Sequence, residues 1–227
     1  MTADSRDLTI RFLGHATVVI EAPGIRIVTD PFLRDRLGPL RRHGPLPDPA
    51  TIGPVDVVVV SHAHPDHFDP RSLARLEGEP LVVVPRGLGR TVRGRGGRTV
   101  ELVTGEATEL PSGWTVEAVP ARHWRWVGAP RAATIGYLLG RPGRRAIWFA
   151  GDTARFGGLA ALAGRVDVAL LPVATWGPHL GPGHLSPRSA AQTAHDVGAR
   201  VAIPVHWGTL YPTGLERRHA APLTEPA

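Results

Sequence analysis

The sequence predicts an α/β protein in which two β-sheets pack face to face and helices cover their outer sides. Three observations lead there. Short apolar, β-branched runs recur along the whole chain, as buried strands do. Strands dominate the first part, and strand–helix alternation then occurs twice over. Residues able to ligate a metal stand directly after predicted strands, and in a sandwich such strand ends can converge on one edge.

Leu8–Leu13, Thr17–Glu21 and Ile25–Thr29 are the opening strands, broken by Gly14 and by Pro23-Gly24, the second pair reading as a hairpin. Asp30-Pro31 ends the third. From Phe32 to Pro54 the pattern dissolves into Pro, Gly and Arg, and this long stretch is expected to be a loop, a candidate lid over the site. Val57–Val60 is a buried strand. Asp69-Pro70 caps a short helix, Pro70–Leu76, and Leu81–Val84 is the next strand. Leu88–Arg95 is weakly helical and stops at Gly96-Gly97 before the strand Thr99–Val103. Trp114–Val119 alternates, and Ile135–Leu139 and Ala146–Phe149 flank the turn Gly140–Arg145. A helix is expected over Ala154–Ala163, a strand over Val166–Leu171, an alanine-rich amphipathic helix from Ser186-Pro187 to Val197, and a last strand over Val201–Val205.

The 227 residues are within the range of one domain, expected over 1–227, and suffice for a substantial core. Hydrophobic content of 42% and charged content of 20% are ordinary for a globular protein. With no cysteine, disulfides and thiolate metal sites are excluded, and any metal must be held by His and carboxylate. Met1–Asp7 has no apolar core of a signal peptide, and no apolar run approaches the ~20 residues a membrane span needs, so a cytoplasmic protein is expected. The net charge of +6 invites a nucleic-acid partner. Every basic side chain is Arg and none Lys, the mark of a GC-rich genome, and the arginines are scattered, which argues against that partner.

The chemistry is concentrated in Ser61-His62-Ala63-His64-Pro65-Asp66-His67-Phe68-Asp69, at the carboxyl end of the Val57–Val60 strand. Rigidly held loops at such ends are where functional groups usually lie. His62 and His64 can point the same way from an extended segment, since side chains alternate. Asp66 and His67 follow the turn at Pro65 and face elsewhere. Two ligand pairs with divergent aim suggest two metal ions.

At these residues the chain resembles the metallo-β-lactamase superfamily, whose signature is His-x-His-x-Asp-His. Gly14-His15-Ala16-Thr17, Thr29-Asp30-Pro31, Arg122-His123-Trp124, Phe149-Ala150-Gly151-Asp152-Thr153 and His206-Trp207-Gly208-Thr209 point to one branch of it. That branch includes the phospholipase D acting on N-acyl phosphatidylethanolamines and the ascorbate-6-phosphate lactonase. The resemblance implies the αββα sandwich and a ligand set. It assigns His62, His64 and His123 to one metal and Asp66, His67 and His206 to the other, with Asp152 bridging. Zinc suits these ligands, as do manganese and iron. Asp30 matches the family's first acid and is expected to orient a ligating imidazole. His15 is expected behind the ligands or facing substrate, and a packed core histidine is the alternative. His184 is expected to contact a phosphate or leaving group. Trp124, Trp176 and Trp207 flank the proposed site, with plain core packing the alternative. His43, His179, His195 and His219 read as surface or loop residues.

The implied activity is a dinuclear metal-dependent hydrolase in which a metal-bridging hydroxide, oriented by Asp66, attacks an ester-type bond, phosphodiester or lactone. The substrate class is a small molecule or a lipid-like ester or phosphoester. A metal-dependent nuclease and a non-catalytic metal-stabilised binding protein are the alternatives. Relatives commonly continue past the last histidine motif with a helix and a closing strand, and this sequence is expected to lack them.

Overall fold

The computed structural model describes residues 8–93, 98–110, 112–124, 133–173, 180–181 and 183–214. Strands are numbered in chain order. One sheet contains β1 (Thr9–Gly14), β2 (Thr17–Ala22), β3 (Ile25–Thr29), β6 (Val57–Val59), β7 (Leu81–Pro85) and β8 (Arg98–Leu102), side by side in that order. The first three are antiparallel, and β3, β6, β7 and β8 run parallel. The other sheet contains β9 (Ala107–Glu109), β10 (Thr115–Pro120), β11 (Ile135–Gly140), β12 (Ala146–Phe149), β13 (Val166–Pro172) and β14 (Val201–Val205), ordered β14-β13-β12-β11-β10-β9. Here β9 to β12 are antiparallel, and β12, β13 and β14 are parallel.

The valine run explains the layers. Val57 and Val59 point into the apolar core between the sheets, and Val58 points to the outer face of the first sheet. Each such side chain, fully buried, is worth about 1.5–3 kcal/mol. The same alternation puts Ile147 and Phe149 inside and Trp148 outside, and Val168 and Leu170 inside with Ala169 and Leu171 outside. Helices α1 (Pro49–Ile52), α2 (Pro70–Leu73) and α3 (Gly89–Arg93) lie on the first sheet's side, and α4 (Pro187–Val197) covers the second. Helix α4 follows its sequence signals closely. Ser186 and Ser189 form a capping box, Pro187 occupies the first turn, Gly198 ends the helix at φ 69°, and Ala190, Thr193, Ala194 and Val197 make the buried stripe. At the second sheet's edge, β14 carries Pro204 opposite Leu171.

Four expectations need correction. The helix expected over Ala154–Ala163 is a 3-10 helix, Gly157–Leu162, with no side-chain cap; the Gly157-Gly158 pair disfavours a regular α-helix. The helix after Asp69 ends at Leu73, not Leu76. The stretch Phe32–Pro54 is not a loose lid. Phe32 and Leu33 are fully buried, β4 (Arg36–Leu37) and β5 (Leu40–Arg42) form a hairpin, and Asp48 caps α1. Finally, a strand does follow the last histidine motif: β15 (Leu210–Pro212) pairs with β5, and Leu210 packs on Phe32 and Leu40.

Candidate metal centre

Strands of both sheets deliver their carboxyl ends to one edge. There β3 leads into Asp30, β6 into Ser61 and His62, β10 into His123, β12 into Asp152 and β14 into His206. Bonds that tie the sheets at this edge include the Ile135 N–H to Ser61 O (3.1 Å), the Tyr137 hydroxyl to Val60 O (2.8 Å), and the His206 N–H to His15 O (2.7 Å).

Asp152 stands at the middle. Its Oδ2 lies 3.9 Å from His62 Nε2, 3.3 Å from His67 Nε2, 3.8 Å from His123 Nε2, 3.3 Å from His184 Nε2 and 3.4 Å from His206 Nε2. Two groups of four donors are compact enough for an ion: His62, His64, His123 and Asp152, and His15, Asp66, His67 and His206. Asp152, His184 and His206 form a further group of three.

The far side of each imidazole determines which nitrogen faces inward. His123 Nδ1 sits 3.0 Å from Gly183 O and His184 Nδ1 3.2 Å from Gly181 O. A carbonyl can only accept, so both rings carry their proton at Nδ1 and, when neutral, turn a lone pair inward. His67 Nδ1 lies 2.6 Å from Asp30 Oδ2, and His62 Nδ1 lies 2.9 Å from Ser61 Oγ. Ser61 itself donates through Oγ to Asp30 Oδ2 (2.5 Å) and through N to Asp30 Oδ1 (2.7 Å). One fully buried carboxylate thus backs His67 directly and His62 through a hydroxyl. His15 Nε2 lies 2.9 Å from Asp66 Oδ2.

The electrostatics divide the cluster. Burial, then the proximity of His67, holds His62 well below its ordinary pKa, and burial with His123 lowers His64 to about 4. Burial also lowers His123, and burial with His206 takes His15 to about 3. Around His67, burial is outweighed by Asp152, Asp66 and Asp30, and its pKa rises well above normal; His206 is raised by Asp152 and Asp66 against burial. For Asp66 and Asp152, burial is outweighed by neighbouring histidines, so both stay ionised at neutral pH.

The donor set fits divalent metal. His62 Nε2 and Asp152 Oδ1 are buried with no hydrogen-bond partner, a costly state for groups that could have one. His64 Nδ1 faces His123 Nε2 at 3.2 Å, and His67 Nε2 faces His206 Nε2 at 3.1 Å. Two neutral acceptors brought face to face need a cation or a proton between them.

All ten site residues expected from the sequence are brought to this edge. Trp207 instead stacks on Phe12 (centroids 6.1 Å apart) and donates to Pro204 O, and Trp124 is 53% exposed beside His123. His195 is exposed, and His43 packs edge-on against Tyr211. Trp176, His179 and His219 lie outside the described residues. Sequence reasoning missed Ser61 and the Gly183 carbonyl; the serine directly before the first histidine was the available signal. It also missed that Arg42 turns inward, donating to Leu13 O, Phe32 O and Arg34 O.

The comparisons agree with this architecture. Residues 25–207 match the family model described as the β-lactamase superfamily domain. The chain belongs to the metallo-β-lactamase superfamily. It is 34% identical over 225 residues to an uncharacterized protein of Mycobacterium tuberculosis, covering 91% of this chain and 60% of that one, so it spans less than two thirds of that relative. It is 31% identical to a UPF0173 metal-dependent hydrolase of Opitutus terrae, covering 89% and 86% of the two chains. It is 30% identical to the N-acyl-phosphatidylethanolamine-hydrolyzing phospholipase D 1 of Caenorhabditis elegans, covering 93% and 66%. Among solved structures, the metallo hydrolase Igni18 of Ignicoccus hospitalis superposes with a TM-score of 0.72 at 21% identity, over 88% of this chain and 83% of that one, a likeness of fold.

Proposed function

We propose that this superfamily member is a metal-dependent hydrolase of ester-type bonds, phosphodiester or lactone, with two divalent ions, zinc the leading choice. The observation that carries the reading is the single Asp152 oxygen within 3.3–3.9 Å of five imidazole nitrogens, with His62 Nε2 and Asp152 Oδ1 buried and unpartnered beside it. His62, His64 and His123 would hold one ion, Asp66, His67 and His206 the other, and Asp152 both. When bound, such ions supply activation of water at neutral pH and polarisation of the scissile carbonyl or phosphoryl oxygen.

The chain's own groups do the rest. Asp66 stays ionised and, steadied by His15, accepts a hydrogen bond from the attacking water and so orients it. Asp30 and Ser61 fix the rings of His67 and His62. His184 keeps 14% of its side chain exposed while 3.3 Å from Asp152, a position from which it meets the substrate's phosphate or leaving-group oxygen. The exposed indole of Trp124 offers an apolar wall next to His123. A lipid-like substrate is in keeping with the phospholipase relative. Arg42 belongs to the scaffold, so cationic help for a phosphate would come from elsewhere.

The test is metal content joined to a substrate panel. Protein supplied with zinc or manganese should carry close to two ions by elemental analysis, and hydrolyse bis(p-nitrophenyl) phosphate or a lactone faster than a β-lactam. Folded protein without bound metal would overturn the reading. β-Lactam turnover without esterase activity would overturn the substrate class alone.

A further inference from the structure

Among the described residues, three that are not glycine have positive φ: His15 at 56°, Asp30 at 30° and His206 at 68°. All three are in the candidate centre. L-residues in this region are strained, and they persist only where the surrounding structure over-determines them. What holds these three is therefore a real question.

Arg42 touches the neighbourhood of each. It is 8% exposed, and among the described residues its guanidinium bonds only to main-chain carbonyls. Nη1 donates to Leu13 O at 3.2 Å, two residues before His15, and Nη2 to Phe32 O at 2.5 Å, two residues after Asp30. Nε donates to Arg34 O at 3.0 Å. Its backbone pairs with Leu210, four residues after His206, and the adjacent His43 N–H donates to Thr209 O at 2.6 Å. Thr209 completes the circuit, its Oγ1 accepting from the His15 N–H at 2.6 Å. Contact with the first turn is close: a Cβ on Gly14 would lie 2.7 Å from Arg42 Nη1 and 3.1 Å from the Thr209 side chain. A planar fork of fixed donors grips carbonyls on separate segments in a set geometry, which an ammonium on a flexible stem does not impose.

We propose that Arg42 is a positioning residue for the centre, its guanidinium clamping the strained turns of His15 and Asp30 directly and that of His206 through His15, whose carbonyl accepts from the His206 N–H (2.7 Å). Its effect on metal binding rests on the metal-centre reading above; the backbone it fixes does not. His15 in turn steadies Asp66, Asp30 steadies His67, and His206 faces His67, so the clamp acts on the Asp66–His67–His206 half.

Amide hydrogen exchange followed by NMR in metal-free protein tests the clamp without using activity. In Arg42→Lys, the His15 and His206 amides should exchange at least about tenfold faster, while those of Val83, Leu170 and Ala194 stay within about twofold of wild type. Zinc titration of the same variant should show one of two sites weakened by about 10–100-fold, the usual cost of losing support behind a ligand. Leu162→Ala, a cavity on the far side of the second sheet, serves as a control that lowers stability and leaves both zinc sites intact. Unchanged exchange at His15 and His206, or equal acceleration at all amides, overturns the proposal. Arg42→Gln, neutral and still a donor, carries the same measurements if the lysine variant does not fold; failure of both to fold makes Arg42 a general stabiliser and also overturns it. A wild-type protein that binds no zinc would remove the metal-centre reading and leave the exchange result to decide the clamp.

Discussion

The two halves of the centre are built from similar ligands on different supports. His62 is backed by a serine hydroxyl and His123 by a backbone carbonyl, and burial drives both, with His64, toward the neutral form. His67 and His206 stand among Asp30, Asp66 and Asp152, which favour the protonated form, and all three strained residues, His15, Asp30 and His206, adjoin this half. In the proposed two-ion reading, one half would accept metal as it stands, whereas the other would first give up protons, and its geometry depends on backbone held under strain. Imidazole for imidazole, the setting decides the chemistry.

The largest effect should come where the halves meet. Asp152→Ala removes the carboxylate common to both and is expected to lower turnover by at least about 10³-fold, several kcal/mol of lost charge stabilisation, with both ions loosened. Loss of one ion only, by elemental analysis, would break the symmetry of that assignment. Next, Ser61→Ala and Asp30→Asn should separate the supports. Each is expected to cost about 10–100-fold in zinc affinity. The serine change should act on the His62 half, whereas the asparagine change should act on the His67 half and, through Ser61, more weakly on the other. Identical titration curves for the two variants would erase the distinction.

Proton release is the third measure. Raised pKa values mean that the stability His67 and His206 lend the metal-free fold is complete below about pH 6.5 and is lost as pH rises through their folded values. His64 and His15, lowered to about 4 and about 3, act oppositely, and the metal-free fold weakens as pH falls from about 6.5 toward those values. Zinc binding to the His67 half should therefore strengthen with pH, by up to about tenfold per unit for each proton displaced, while binding to the His62 half stays nearly flat above about pH 7. Calorimetry in two buffers of different ionisation enthalpy counts those protons; equal release at both sites would contradict the comparison. The smallest effect belongs to the Phe12–Trp207 stack beside His206. Phe12→Ala should cost about 0.5–1.5 kcal/mol of stability by chemical denaturation and leave zinc content unchanged.

Much of this could be read from residue order alone. The ligand loop is contiguous, the valine run before it marks a strand buried on both faces, and Ser186-Pro187 with Gly198 announced α4 at both ends. What escaped did so for physical reasons. Strands β4, β5 and β15 are two or three residues long, too short for a period, and β5 finds its partner about 170 residues away. Arg42 carries no mark in the sequence, because nothing local shows that a guanidinium turns inward to carbonyls. The positive φ values of His15, Asp30 and His206 are imposed by tertiary contacts, and no local preference for glycine betrays them. At Gly157–Leu162 the glycine pair tips a helical stretch into a 3-10 turn, a choice that composition alone does not reveal.

Pro204 on the outer strand of the second sheet has a consequence at the scale of many molecules. A bare sheet margin is a template on which a second chain can add by main-chain bonding, and repetition of that step makes fibrils. Proline has no N–H to offer, so at its position the template is interrupted. Val201 is 49% exposed on the same strand, an apolar foothold that would otherwise invite such growth. One imino acid on an outer strand therefore bears on how concentrated a solution of this protein can become before it gels.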